Sequence, residues 1–119
     1  MNENVALFAA TLLHSSTNAH FFHWSTDSFS KHMALGTYYD EVVSLVDDLV
    51  EAYMGCYDRI TTFPSVYHLP KEPVGYMESL KSFVNDARKD LPQETQLQNI
   101  IDEIAQLIDS TLYKLKNLK

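Results

Sequence analysis

Apolar residues recur at helical spacing along most of this chain, and they predict four helices. The predicted helices cover about residues 4–24, 29–60, 73–91 and 93–118. The second helix is the longest, and its apolar stripe consists of Leu35, Tyr39, Val42, Val46, Leu49, Tyr53 and Ile60. The fourth helix has a near-heptad stripe, which favours left-handed bundle packing. The pattern predicts one all-α domain over residues 1–119, folded as an antiparallel four-helix bundle.

The segments between these stripes contain residues that begin or break helices. The first two helices are separated by the short sequence Ser-Thr-Asp-Ser, residues 25–28, which is rich in N-capping side chains. The connection after the second helix, residues 61–73, contains Pro64, Pro70 and Pro73. Since proline breaks a regular helix, this segment is predicted to be the long irregular connection.

Charge and composition narrow the classes of partner and compartment. The chain of 119 residues is 45% hydrophobic and has a net charge of −7. The negative charge argues against binding to phosphate backbones and therefore against nucleic acid as a partner. Its only cysteine, Cys56, cannot form an intrachain disulfide. The apolar stretch 5–13 lacks a preceding lysine or arginine and is too short to span a bilayer. A cytoplasmic protein without a membrane partner is expected.

A set of histidines and carboxylates on the first two helices predicts a metal site. Each helical residue advances by about 100°, so His32, Asp40, Asp47 and Glu51 fall within one sector of the second helix. His23 lies at the end of the first helix, across the short turn from His32. Imidazole with carboxylate suits iron, manganese or zinc. The predicted ligands are His23, His32, Asp40, Asp47 and Glu51, with iron as the leading metal and manganese or zinc as the others.

The residues around this set resemble those of the Dps-type mini-ferritins. That family has His-Trp at the end of its first helix, as at His23-Trp24 here, followed by His-x-x-x-Asp on the second. The stretch 35–41 is also similar to small uncharacterised phage proteins with a ferritin-like bundle. The resemblance implies a ferritin-like fold in which histidines of one subunit and carboxylates of another bind and oxidise Fe(II). By position, His23 matches the family's first histidine and Asp40 its first aspartate.

The chain departs from the family at three ligand positions. Gly36 occupies the place of the family's second histidine, so His32 would have to substitute from one turn earlier. Glu51 occupies the place of a later aspartate, and Gly55 occupies the place of the acid that follows it. A ferroxidase-like activity would therefore rest on an incomplete site. The two glycines favour an alternative, a non-enzymatic phage-type interaction or modulator protein with a host protein as its partner in the host cytoplasm. A third hypothesis, a MazG-like nucleotide pyrophosphohydrolase, lacks the expected Glu-x-x-Glu pair.

The second helix also predicts self-association. Apolar and aromatic residues cover more than half of its circumference. An apolar surface of this width, if it were exposed on a monomer, would promote aggregation. A homo-oligomer, at least a dimer, is expected through the first two helices.

Overall fold

A computed structural model describes residues 2–65 and 67–119 of the protein. These residues form four α-helices: α1, Asn2–Ser25; α2, Phe29–Cys56; α3, Pro73–Ala87; and α4, Thr95–Asn117. A short 3-10 turn, Arg88–Asp90, follows α3. No strand occurs in the described part of the chain, so the protein is all-helical, as its periodicity predicted. None of these helices combines the length and the apolar character that a membrane span requires.

Side-chain caps mark the beginnings of α2 and α3. Ser28 has an extended backbone, and its hydroxyl accepts a hydrogen bond from the backbone N–H of Lys31 at 3.3 Å. The Glu72 carboxylate likewise accepts from the backbone N–H of Gly75 at 2.6 Å, while Pro73 occupies the first helical position. Both caps satisfy donors that the first turn of a helix leaves unpaired. Ser28 belongs to the segment that the sequence pattern marked as rich in capping residues, whereas the Glu72 cap was not predicted.

The helix ends differ from the prediction where local chemistry interrupts the apolar stripe. The second helix ends at Cys56 and not near Ile60. The Asp58 carboxylate accepts from the backbone N–H of Arg59 at 2.7 Å, a local bond that competes with helical pairing. Ile60 is still buried, which explains why the stripe seemed to continue. The third helix ends at Ala87, where the 3-10 turn begins, and not at residue 91.

The four helices contact one another in a closed ring. α2 packs against α1 and α4, α3 packs against α4, and α3 also contacts α1. The start of α1 lies beside the end of α2, where the Tyr53 hydroxyl donates to the Asn2 side chain. Every helix contributes large side chains to one core, including Phe8, Leu12, Leu35, Tyr38, Val42, Val46, Met77, Leu80, Val84, Ile101, Ile104 and Ile108.

Candidate functional site at the α1–α2 hairpin

The two predicted ligand histidines meet across the turn between α1 and α2. Their imidazole rings stack with centroids 3.6 Å apart and planes 18° apart. The His23 Nδ1 lies 2.6 Å from the His32 carbonyl oxygen, and the His32 Nδ1 lies 2.8 Å from the His23 carbonyl oxygen. A carbonyl oxygen only accepts, so each Nδ1 carries the proton and donates. Sequence reasoning placed these residues close together, and the structure adds that they bond to each other's backbone.

This reciprocal bonding has a structural role at the end of α1. The His23 carbonyl belongs to the last turn of α1, where carbonyls have no partner within the helix. Histidine near a helix C-terminus can satisfy such carbonyls, and here His32 does so from the neighbouring helix. The pair therefore joins the two helices on either side of a three-residue turn.

Gly36 makes room for the His23 ring. A Cβ atom at Gly36 would lie 3.1 Å from the His23 Cε1 atom, which is closer than side chains normally approach. The glycine occupies the position at which the Dps-type family has its second histidine, and the His23 imidazole fills the space beside it. His20 stacks on Tyr39 beside it, with ring centroids 4.0 Å apart and planes 9° apart. The end of the hairpin is thus an ordered aromatic cluster.

The ring geometry limits what the histidines can bind together. With both Nδ1 atoms donating, each neutral ring keeps only its Nε2 lone pair, which lies in the ring plane. A cation about 2 Å from both Nε2 atoms would have to lie in both planes. Planes that stack at 3.6 Å with an 18° tilt meet far beyond that distance. In this arrangement His23 and His32 cannot chelate one cation.

The predicted carboxylates do not converge on the histidines. Asp40, Asp47 and Glu51 are all exposed on the outer side of α2. Asp40 lines the same shallow depression as His23. Asp47 lies about 10 Å further along the helix, by the rise per residue, and Glu51 lies further still. Within residues 2–65 and 67–119, no three histidine, cysteine or acidic side chains gather closely enough to hold a metal ion.

The hairpin also carries an exposed apolar surface, whose residues were not among the predicted site residues. Phe21 and Trp24 at the end of α1 and Phe29 and Met33 at the start of α2 form what we call the hairpin surface. Trp24 is 66% exposed and Phe29 is 76% exposed. Phe21 and Trp24 contact each other, and Phe29 and Met33 are one turn apart on α2. The signal was present in the sequence, because Phe29 and Met33 lie on the helix face opposite to the buried stripe.

Comparisons with known proteins agree with the similarity to phage proteins. Residues 23–115 match a family described as a family of unknown function (DUF5856). An uncharacterized 14.6 kDa protein in the mobD-ri intergenic region of Enterobacteria phage T4 is 24% identical over 110 residues, which cover 91% of this chain and 84% of that protein. No solved structure matches the chain. The comparisons do not support membership of the Dps-type family. Since the family match begins at His23 in the hairpin and continues into the last helix, the chain belongs to the family of unknown function DUF5856.

Proposed function

We propose that this protein is a non-enzymatic interaction protein that self-associates, at least to a dimer, through the hairpin surface of α1 and α2. The exposure of Trp24 and Phe29 is the observation that supports it. The phage relative fits a small phage-type protein, for which a host protein in the host cytoplasm is a further partner to expect.

The composition of the hairpin surface supports a binding role. Large aromatic side chains dominate the energy of protein interfaces because each buries much apolar area with few rotatable bonds. Fully burying one such side chain contributes about 1.5 to 3 kcal/mol before the entropy of association is subtracted. In a symmetric dimer the same four side chains act twice. The two aromatic side chains that the fold leaves most exposed, Trp24 and Phe29, are therefore the proposed centre of the interface.

Sedimentation equilibrium tests this proposal with a matched control. The variant Trp24→Ser/Phe29→Ser removes the proposed centre, whereas Leu69→Ser/Tyr113→Ser removes two other exposed apolar side chains. We expect the wild type and the control to sediment as a dimer or larger species at about 10 to 100 µM, which spans the dissociation constants of moderately weak interfaces. The hairpin variant should sediment as a monomer. A monomeric wild type, or equal loss in both variants, would refute self-association through this surface.

A metal-binding function is the second candidate, and the fixed Nδ1 protons of the histidines favour it. Metal-ligating histidines usually donate one ring N–H to a carbonyl or carboxylate, which leaves the other nitrogen free. His23 and His32 both have this arrangement. The carboxylates of the same chain do not fit a shared ion, so iron, manganese or zinc would need Asp40, Asp47 or Glu51 from a second copy.

Elemental analysis of protein purified without chelators tests the metal candidate. About one transition metal per chain or per dimer is expected, and His32→Ala and Asp47→Ala should both lower it. Asp48→Ala is the matched control, because Asp48 is an exposed neighbour outside the predicted ligand set. A wild type without metal after aerobic Fe(II) loading would remove this candidate.

The finer description of the fold is part of the same proposal. An antiparallel four-helix bundle fits the ring of helix contacts and the bond between the start of α1 and the end of α2. A ferritin-like relationship has the sequence resemblance as its only support. A crystal structure with α1 parallel to α2 would contradict the bundle.

A further inference from the structure

The seam between α2 and α4 contains a groove that the proposed function does not use. Leu45 from α2 and Leu107 from α4 form its apolar floor, and Asp40, Glu41 and Glu103 are exposed along its edges. The groove is open to solvent and encloses about 410 Å³. Its lining therefore combines an apolar strip with carboxylates contributed by both helices.

The seam between α3 and α4 has the opposite electrostatic arrangement. Three ion pairs cross it or connect α4 to the 3-10 turn: Lys81 with Asp109 at 3.2 Å, Lys116 with Glu78 at 2.7 Å, and Arg88 with Asp102 at 2.6 Å. In each pair one residue belongs to α4. The charged side chains of α4 are thus paired on its α3 side, whereas on its α2 side α4 faces the carboxylates of the groove.

No cation of α2 compensates the charge along the groove. After Lys31, the helix has no lysine or arginine up to its last residue, Cys56, and two of its five acids, Asp40 and Glu41, line the groove. None of these five forms an ion pair within the described residues. Carboxylates facing one another across a groove repel, which disfavours the free protein. A positively charged occupant would remove this repulsion.

We propose that the α2–α4 groove binds a basic amphipathic helix of a partner protein. The apolar side of that helix would cover Leu45 and Leu107, and its lysine or arginine side chains would meet Glu41 and Glu103. Helices commonly bind in grooves by this combination of apolar anchors and flanking charges. From Glu103 to Ser110 the groove follows about 10 Å of α4, which matches two turns of a bound helix.

The observations favour this occupant over the others. Nucleic acid and anionic membranes would be repelled by the carboxylates. A second copy would bring another acidic α2, and the cations on its α3–α4 seam are already paired. Among the residues that the structure describes, no three acidic, histidine or cysteine side chains lie close enough together to hold a metal ion. The combination of an apolar floor with uncompensated carboxylates on two helices therefore points to a basic peptide.

Fluorescence anisotropy with two labelled peptides tests the proposal. The probe is a synthetic 18-residue helix with leucines on one face and lysines on the other, and the control peptide has glutamate in place of lysine. The groove variant is Glu41→Gln/Glu103→Gln. The matched variant is Asp27→Asn/Asp90→Asn, which removes two exposed charges away from the groove. Circular dichroism verifies that both variants remain helical.

We expect the lysine peptide to bind the wild type, with an affinity that falls as salt is added. Its affinity for the groove variant should be about tenfold lower. The matched variant and the hairpin variant Trp24→Ser/Phe29→Ser should bind it as the wild type does. The glutamate peptide should not bind. Absence of binding to the wild type overturns the proposal. Equal weakening in the groove and matched variants does so too, because it would reflect the net charge of −7 alone.

Discussion

Replacing Ser15 with alanine should destabilise the protein by more than a surface serine does, because Ser15 is the acceptor for a buried tyrosine. Ser15 and Tyr38 are both fully buried. The Ser15 hydroxyl lies 2.6 Å from the Leu12 carbonyl oxygen and 2.7 Å from the Tyr38 hydroxyl. Its single hydrogen goes to the carbonyl, so Tyr38 donates to the serine oxygen. This bond connects α1 to α2 in the core.

The two single substitutions should differ in magnitude. Ser15→Ala leaves the Tyr38 O–H without an acceptor in the core, which costs about 1 to 3 kcal/mol. Tyr38→Phe leaves the serine bonded to Leu12 and removes one neutral hydrogen bond, which costs about 0.5 to 1.5 kcal/mol. The double variant removes both hydroxyls, so it should be more stable than the sum of the single effects predicts, by about 1 kcal/mol.

Urea unfolding followed by circular dichroism measures these differences. Ser110→Ala is the matched control: Ser110 also donates to the carbonyl three residues earlier, at 3.2 Å, but it is exposed. Its substitution should change the free energy of unfolding by no more than about 0.5 kcal/mol. Two results would refute the assigned direction of the hydrogen bond. One is a double variant whose loss of unfolding free energy equals the sum of the single losses at Ser15 and Tyr38, and the other is an equal loss for Ser15→Ala and Ser110→Ala.

Other substitutions test the scaffold and the hairpin. Leu49→Ala should lower the free energy of unfolding by about 2 to 5 kcal/mol in the same urea assay, because Leu49 is a buried core residue. Burial raises the pKa of Tyr38, so the folded state keeps a proton that the unfolded state loses near pH 10. Tyr38 alone should therefore lower the stability by about 1.4 kcal/mol per pH unit above pH 10, and the fall should be less steep in Tyr38→Phe. Gly36→Ala should shift the His23 ring resonances in NMR spectra, because the new Cβ atom would crowd that ring.

The regular parts of the fold could be predicted because burial and helical spacing agree there. The buried residues of α2 include Leu35, Val42, Val46, Leu49 and Tyr53, which are the core of its predicted stripe. The end of α2 could not be predicted in this way. Ile60 continues the spacing and is buried, but it lies in an irregular segment and not in another helical turn.

Only part of the candidate site followed from sequence spacing. A three-residue turn places His23 and His32 close together in any helical hairpin, so their proximity was predictable. Their use of Nδ1 atoms depends on ring rotations that spacing does not determine. The exposure of the carboxylates did not follow from spacing either: half-buried Val43 and Val50 share the sector of Asp40 and Asp47 and pack against the core, whereas the two acids are exposed. A sector 100° wide can span both the boundary and the solvent.

The features that suggest binding converge on α2, and the fold itself does not require them. Asp47 and Glu51 are one turn apart, and like charges at this spacing destabilise a helix by about 0.2 to 0.5 kcal/mol. Phe29 adds an exposed ring at the beginning of the same helix. The buried stripe offsets both penalties, because truncating a single core side chain already costs several times more. A helix that carries acidic residues on one side and an exposed apolar residue at its beginning is therefore better explained by binding to partners than by stability. The hairpin surface and the α2–α4 groove can be tested separately because no side chain belongs to both.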